Sequence, residues 1–126
     1  MSEQAVPEPK SVWVVGWNGV RKALFEKLFA ERHEVKNAHA VSNCTTALHL
    51  ALLAAGVGEG DEVLVPAFTW VSTANAVLYC NATPVFVDVD PVTFNIDPAK
   101  IAEKITPKTK AIIPVHLFGL CADMDA

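Results

Sequence analysis

The fold is decided by residues 38–56, which read AHAVSNCTTALHLALLAAG. A short apolar run at 38–41 ends at two polar residues and passes directly into apolar positions at helical spacing. Gly56 then stands where a helix often ends on a left-handed residue. The stretch predicts a strand at 38–41 and a helix over 46–55. Because nearly all of that helix is apolar, we expect it to be covered on every side.

Three further runs of strand type follow along the chain, at residues 62–65, 83–89 and 111–115. They are almost continuously apolar, which is typical of strands covered on both faces. Helical patterns alternate with the strand runs, at residues 20–32, 72–80 and 98–104. This alternation predicts an α/β domain in three layers, a mostly parallel sheet flanked by helices.

Two of the helical patterns carry more specific expectations. In the first, Leu24, Phe25, Leu28 and Phe29 form an apolar stripe that we expect to be buried. The last begins at Asp97, whose carboxylate can accept from the first amides of a helix, and Pro98 suits the first helical position.

Composition excludes several classes of function. The 126 residues are 52% hydrophobic and 19% charged, with a net charge of −4 and no basic cluster, so we expect neither nucleic acid nor an anionic membrane as partner. No apolar run approaches the roughly 20 residues of a membrane span, and the first residues lack a secretion pattern. We therefore expect a cytoplasmic protein. Its three cysteines lack the spacing of a metal site and indicate reduced thiols.

The first candidate site lies at the junction of the 38–41 strand with the following helix. Unpaired amides and the positive end of the helix dipole meet there, and the hydroxyls of Thr45 and Thr46 add donors. The junction can therefore hold an anion. An alternative is that Ser42, Asn43 or Thr45 merely caps the helix.

A second candidate is Trp70, which follows the strand at 62–65 and so lies at the same edge of the sheet. Its indole could stack on a flat cofactor ring, although core packing is an alternative. Asp88 and Asp90 could form a metal or acid–base pair, but their neighbours favour a turn. His116 ends the last strand, where a structural histidine with a hydrogen bond is the alternative to a ligand contact.

Five motifs in order resemble the DegT/DnrJ/EryC1/StrS family of sugar aminotransferases. They are SNCTTALHLAL at 42–52, GDEV at 60–63, PAFTW at 66–70, PVFVD at 84–88 and PVHLFG at 114–119. Members of this family are fold type I enzymes that depend on pyridoxal 5′-phosphate. Most of them aminate a keto group on a nucleotide-linked sugar, commonly with glutamate as the amino donor.

The resemblance implies roles for four residues. Cys44, Thr45 and Thr46 correspond to the phosphate-binding turn, in which glycine is frequent at the position of Cys44, and Trp70 corresponds to the aromatic residue that stacks on the pyridine ring. The family's pyridine-binding aspartate and its cofactor-binding lysine lie downstream of residue 126. The resemblance therefore implies no catalytic residue in this chain, and we expect it to be inactive alone and to form a homodimer when complete.

On this interpretation, residues 1–19 are a tail with a variable segment, and residues 20–126 are the N-terminal part of the large cofactor domain. Three alternatives remain open. One is a sugar dehydratase of the same family, in which histidine replaces the lysine. Another is a truncated relic or binding module without catalysis. The third, a Rossmann nucleotide-binding domain, lacks the glycine fingerprint.

Overall fold

The computed structural model describes residues 11–15 and 20–126, and the burial of side chains from residue 22 onward. These residues form five strands and four α-helices in the order of an α/β protein. The strands are β1 (Ser11–Val15), β2 (Asn37–Val41), β3 (Glu62–Pro66), β4 (Thr83–Val87) and β5 (Thr109–Ile112). The helices are α1 (Val20–Arg32), α2 (Cys44–Ala54), α3 (Ser72–Tyr79) and α4 (Pro98–Ile101), the last continued by a 3-10 turn over Ala102–Lys104.

The chain divides into two compact units, Met1–Ala47 and Leu48–Ala126. In the first unit, β1 and β2 pair in parallel, and α1 packs against β2. Glu26 on α1 accepts a hydrogen bond from the Ala40 amide at 2.7 Å, and this bond is the main cause that lowers the pKa of its carboxyl. The carboxylate thus satisfies a backbone donor of β2 and fixes α1 to the strand.

The second unit contains a parallel sheet with the strand order β4-β3-β5. The middle strand β3 is paired on both sides, Leu64 lying in register with Val85 on β4 and with Ile112 on β5. Because all three strands are parallel, the loops that follow them leave the sheet at one edge. This is the edge at which ligands bind in open α/β sheets.

Both faces of this sheet are covered, as the apolar strand runs predict. On one face, Val63 and Val65 pack in a cluster with residues of α2 and α3, among them Leu52 and Val77. On the other face, Leu64 packs with Val87 and Ile96, and Ile101 of α4 lies against this second cluster. The three-layer α/β architecture is confirmed within this unit.

Helix α2 ends as its sequence predicts, but it is less covered. Gly56 has a φ of +76°, and the amide of Val57 donates to the Leu52 carbonyl at 3.0 Å, which closes the helix with a left-handed glycine. Leu52 is buried, whereas Leu53 is 48% exposed. The expectation that every side of this helix is covered is wrong, because the sheet of the second unit covers only one face of it.

The apolar stripe predicted for α1 is also largely wrong. Leu24, Phe25 and Leu28 are between 43% and 57% exposed. Only Phe29 of the four packs, against a small cluster that Ala30 forms with residues of the following loop and strand. Residues 20–32 form a helix as predicted. The helix packs through Ala30 and Phe29, however, and not through the whole predicted stripe.

The remaining predictions of secondary structure hold to within a few residues. Asp97 caps α4 by accepting from the Ala99 amide at 2.9 Å, and Pro98 is the first residue of the helix. Strand β1 is an addition, since no strand is predicted before residue 38. No helix of the described residues is long and apolar enough to cross a membrane.

Candidate functional site

The first part of the predicted site lies at the start of α2. The Asn43 side chain caps this helix: its Oδ1 accepts from the Thr46 amide at 2.8 Å and from the Thr46 hydroxyl at 3.0 Å. The capping alternative is therefore correct for Asn43. Both donors of Thr46 are occupied, so Thr46 can reach an anion only if the contact with Asn43 opens.

Cys44 and Thr45 precede Thr46 in the first turn of α2, where amides have no partner inside the helix. Within the described part of the chain, no oxygen accepts from either of their amides. The Cys44 side chain is exposed and that of Thr45 is half-buried. These two N–H groups, together with the helix dipole, are what an anion would meet at this junction.

Trp70 occupies the loop that follows β3, in the second unit. Its side chain is 78% exposed, so it does not pack in a core formed by the described residues. The Thr73 amide donates to the Trp70 carbonyl at 3.0 Å, and the hydroxyls of Thr69 and Thr73 lie 3.2 Å apart. Because Thr73 is buried, these contacts fix the loop to the interior of the unit. The indole remains in solvent at the ligand-binding edge.

The loop after β4 contains the two candidate carboxylates, and the structure supports the turn for Asp90. Its Oδ1 accepts from the amides of Val92 and Thr93 at 2.9 and 2.8 Å, and from the Thr93 hydroxyl at 3.1 Å. These bonds, the Thr93 amide first, lower the pKa of the carboxyl from its ordinary value of 3.8. Asp90 is thus occupied by the turn rather than available for acid–base chemistry.

This lowered pKa predicts a dependence of stability on pH. The unfolded chain binds a proton at Asp90 more readily than the folded chain, so the stability that this carboxylate contributes is present above the unfolded pKa and is lost as pH falls through the folded pKa. We expect the free energy of unfolding to drop less on acidification in Asp90→Asn than in the wild type. Urea unfolding between about pH 5 and about pH 3 measures the difference. Equal slopes for the two proteins would contradict it.

His116 has the structural role that the sequence favours. Its Nδ1 accepts from the Ala122 amide at 3.0 Å, so in the neutral ring the proton is on Nε2. The side chain is exposed. His116 thereby fixes the chain that follows β5, near the loop edge of the sheet.

The lysines of this unit lie on two sides of the sheet. Lys108 and Lys110 are at the amino-terminal end of β5, away from the loop edge. Lys100 and Lys104 are exposed, but they line a cavity of about 350 Å³ together with Ala67 and Asp88, which follow β3 and β4. Lys100 and Lys104 thus line a cavity that also touches residues following β3 and β4.

Sequence reasoning missed Asn95 and Phe118. Asn95 is 4% exposed and bonds to the loop after β5, whereas Phe118 in that loop is 86% exposed. The sequence gives Asn95 only a turn preference, because its partners lie more than twenty residues away. A bulky aromatic residue directly before Gly119, a pair typical of a turn, is the sequence signal that could have identified Phe118.

The family model of the DegT/DnrJ/EryC1/StrS aminotransferases matches residues 8–126. The chain belongs to this family. Over 101 residues it is 61% identical to GDP-perosamine synthase of Caulobacter vibrioides, an alignment that covers 80% of this chain and 27% of that protein. Over 114 residues it is 50% identical to 3-amino-5-hydroxybenzoate synthase of Amycolatopsis mediterranei, covering 90% of this chain and 29% of that protein.

Among solved structures, NtdA from Bacillus subtilis, which has bound cofactor PMP, matches with a TM-score of 0.82 and 44% identity over 86% of this chain and 25% of that one. The chain thus spans between 25% and 29% of the length of these relatives. The fold of this part is shared with a protein that holds the cofactor PMP.

Proposed function

We propose that this chain is the N-terminal part of the cofactor domain of a pyridoxal-phosphate-dependent aminotransferase. The observation that carries the proposal is the exposed indole of Trp70 on a braced loop at the carboxyl edge of the sheet. An apolar ring of this size is normally covered, and its position after β3 is where a flat ligand ring would approach.

The residues that would hold the cofactor fit its chemistry. The amides of Cys44 and Thr45 would suit a phosphate at a helix start, to which Thr46 could add its donors only without its bonds to Asn43, and the exposed indole of Trp70 would suit one face of a pyridine ring. When bound, pyridoxal phosphate supplies an electron sink for the carbon that carries the amine. This chain's own part is to bind the phosphate, orient the ring and exclude water from one face.

The proposed substrate is a keto group on a nucleotide-linked sugar, with glutamate as the amino donor. The family and the name of the Caulobacter relative support this choice. A homodimer of the complete protein is part of the proposal, as is a cytoplasmic location. The latter agrees with the state of Cys44, Cys80 and Cys121, which are all free thiols.

A hybrid enzyme tests the proposal. In it, this chain replaces the matching segment of Caulobacter GDP-perosamine synthase, with which it shares 61% identity. We expect the hybrid to transfer the amine of GDP-perosamine to 2-oxoglutarate, measured as glutamate released. Trp70→Ala should weaken cofactor retention about tenfold, because the stacking contribution is lost.

Tyr79→Ala is the matched control, since Tyr79 is also an exposed aromatic residue of the second unit, but it lies at the far end of α3. We expect it to retain the cofactor like the unmodified hybrid. A hybrid that folds and yet transfers no amine would favour the binding module or relic instead. Equal retention of the cofactor in the Trp70→Ala and Tyr79→Ala hybrids would contradict the role of Trp70 in holding the cofactor.

A further inference from the structure

Both polar atoms of the Asn95 side chain bond to one distant loop. Its Oδ1 accepts from the Leu117 amide at 3.0 Å, and its Nδ2 donates to the Leu120 carbonyl at 3.1 Å. The residue is 4% exposed, and Thr73 is the other buried polar side chain of the described residues. Buried amides are costly unless both ends are bonded, so Asn95 and the segment 117–120 stabilise one conformation together.

The segment 117–120 is a tight turn that an aromatic residue would not adopt by preference. The Leu120 amide donates to the Leu117 carbonyl at 3.0 Å, and Phe118 and Gly119 have φ values of +52° and +85°. A left-handed Phe is unfavourable and persists only where its surroundings enforce it. The two bonds from Asn95 provide this constraint, and the His116 contact with Ala122 fixes the chain beyond it.

The turn holds the Phe118 ring in solvent, at 86% exposure. It follows β5, the parallel neighbour of β3, so the turn lies at the same edge of the sheet as the loop of Trp70. The segment beside Asn95 also touches that second loop, because the rings of Phe68 and Phe94 lie 5.5 Å apart. Residues 94–95 therefore contact both loops, the one that carries Trp70 and the one that carries Phe118.

We propose that Phe118 contacts the sugar ring of the substrate and that Asn95 is the positioning residue that holds it there. This inference rests on the proposed function. A phenyl ring has no donor or acceptor, so it recognises a ligand through apolar contact, and the C–H groups of a sugar ring offer such a face. Trp70 is assigned to the cofactor, and Phe118 is the most exposed of the other aromatic residues at these loops, at 86% against 50% for Phe68 and 44% for Phe94.

Binding of two ligands to the hybrid enzyme tests the contact. GDP-perosamine carries the sugar and GDP does not, and titration calorimetry gives both dissociation constants without requiring catalysis. We expect Phe118→Ala to weaken GDP-perosamine about tenfold and to leave GDP unchanged. Equal weakening of both ligands, unchanged binding of GDP-perosamine, or a change of oligomeric state with binding intact would overturn the assignment to the sugar.

Asn95 variants test the positioning. Asn95→Ala should reproduce the selective weakening of GDP-perosamine, and Asn95→Asp should lie between it and the wild type, because it keeps the acceptor for the Leu117 amide and loses the donor to Leu120. Val77→Ala, a core substitution on the buried face of α3, controls for loss of stability and should bind both ligands normally. If Val77→Ala matches Asn95→Ala, the role of Asn95 is structural only.

Hydrogen exchange in the 126-residue chain separates this inference from the proposed function. Asn95→Ala should speed exchange of the Leu117 amide about tenfold or more relative to Val77→Ala. A hybrid without aminotransferase activity would contradict the proposed function alone, because exchange and ligand binding still decide the role of Asn95. Unchanged exchange at Leu117 would overturn the positioning role even in an active hybrid.

Discussion

Replacement of Leu64 by alanine should lower the free energy of unfolding by about 2–5 kcal/mol, the range for removing a large buried aliphatic side chain. Leu64 is 0% exposed, and it lies in the middle strand of the sheet, packed against Val87 and Ile96. Neighbouring strands flank it on both sides, so the surrounding backbone cannot move in to fill the cavity. Urea unfolding of the two proteins measures the loss.

Ile112 provides the control within the same layer. It is the register partner of Leu64 on β5 and points to the same face, but it is 41% exposed. Ile112→Ala should therefore cost clearly less than Leu64→Ala, because only part of its side chain is removed from water. A loss below about 0.5 kcal/mol for Leu64→Ala, the size of a surface effect, would contradict the assignment of β3 as the central strand.

The sequence predicts this core well because the periodicity of a short apolar run depends only on local residues. Val63, Leu64 and Val65 are all buried, and Gly56 ends α2 with the expected positive φ. The stripe on α1 fails for the opposite reason. Leu24 and Leu28 are apolar at helical spacing, but whether they are buried depends on which element lies against them, and helical spacing carries no information about that.

The same distinction between local and distant neighbours applies to the candidate site. The sequence shows that the start of α2 has donors and that an aromatic residue follows β3, since both depend on neighbours in the chain. It does not show that Asn43 takes both donors of Thr46. It also does not show that Asn95 bonds to a turn 22 residues further on, because such a pair is made by the parallel topology of the sheet.

The 126-residue chain mixed with pyridoxal phosphate should retain no cofactor on any one lysine. An anion at the start of α2 gains about 0.3–1 kcal/mol from the helix dipole, and up to about 2 when partly buried. Stacking on Trp70 adds about 0.5–1.5 kcal/mol beyond its buried area. Micromolar affinity requires about 8 kcal/mol, so these contacts alone leave binding weak, and the contact of Asn43 with Thr46 competes with the phosphate.

Covalent attachment would need an amine fixed beside the bound ring, and the lysines of the second unit do not meet this condition. Lys108 and Lys110 lie at the opposite end of β5. Lys100 and Lys104 line the cavity near Ala67, but both are exposed, and the Lys100 amine lies 4.0 Å from the Glu103 carboxylate. An exposed, flexible amine reacts with free pyridoxal phosphate no faster than others on the surface.

Borohydride reduction followed by peptide mapping is the measurement. We expect small amounts of label spread over several lysines. Dialysis before reduction should lower the label on all of these lysines by the same factor. In the hybrid enzyme, we expect the label on a single lysine contributed by the Caulobacter segment, and this result serves as the positive control. Stoichiometric label on Lys100 or Lys104 of the 126-residue chain would show that the cavity beside Ala67 orients an amine, and this interpretation of the lysines would then be wrong.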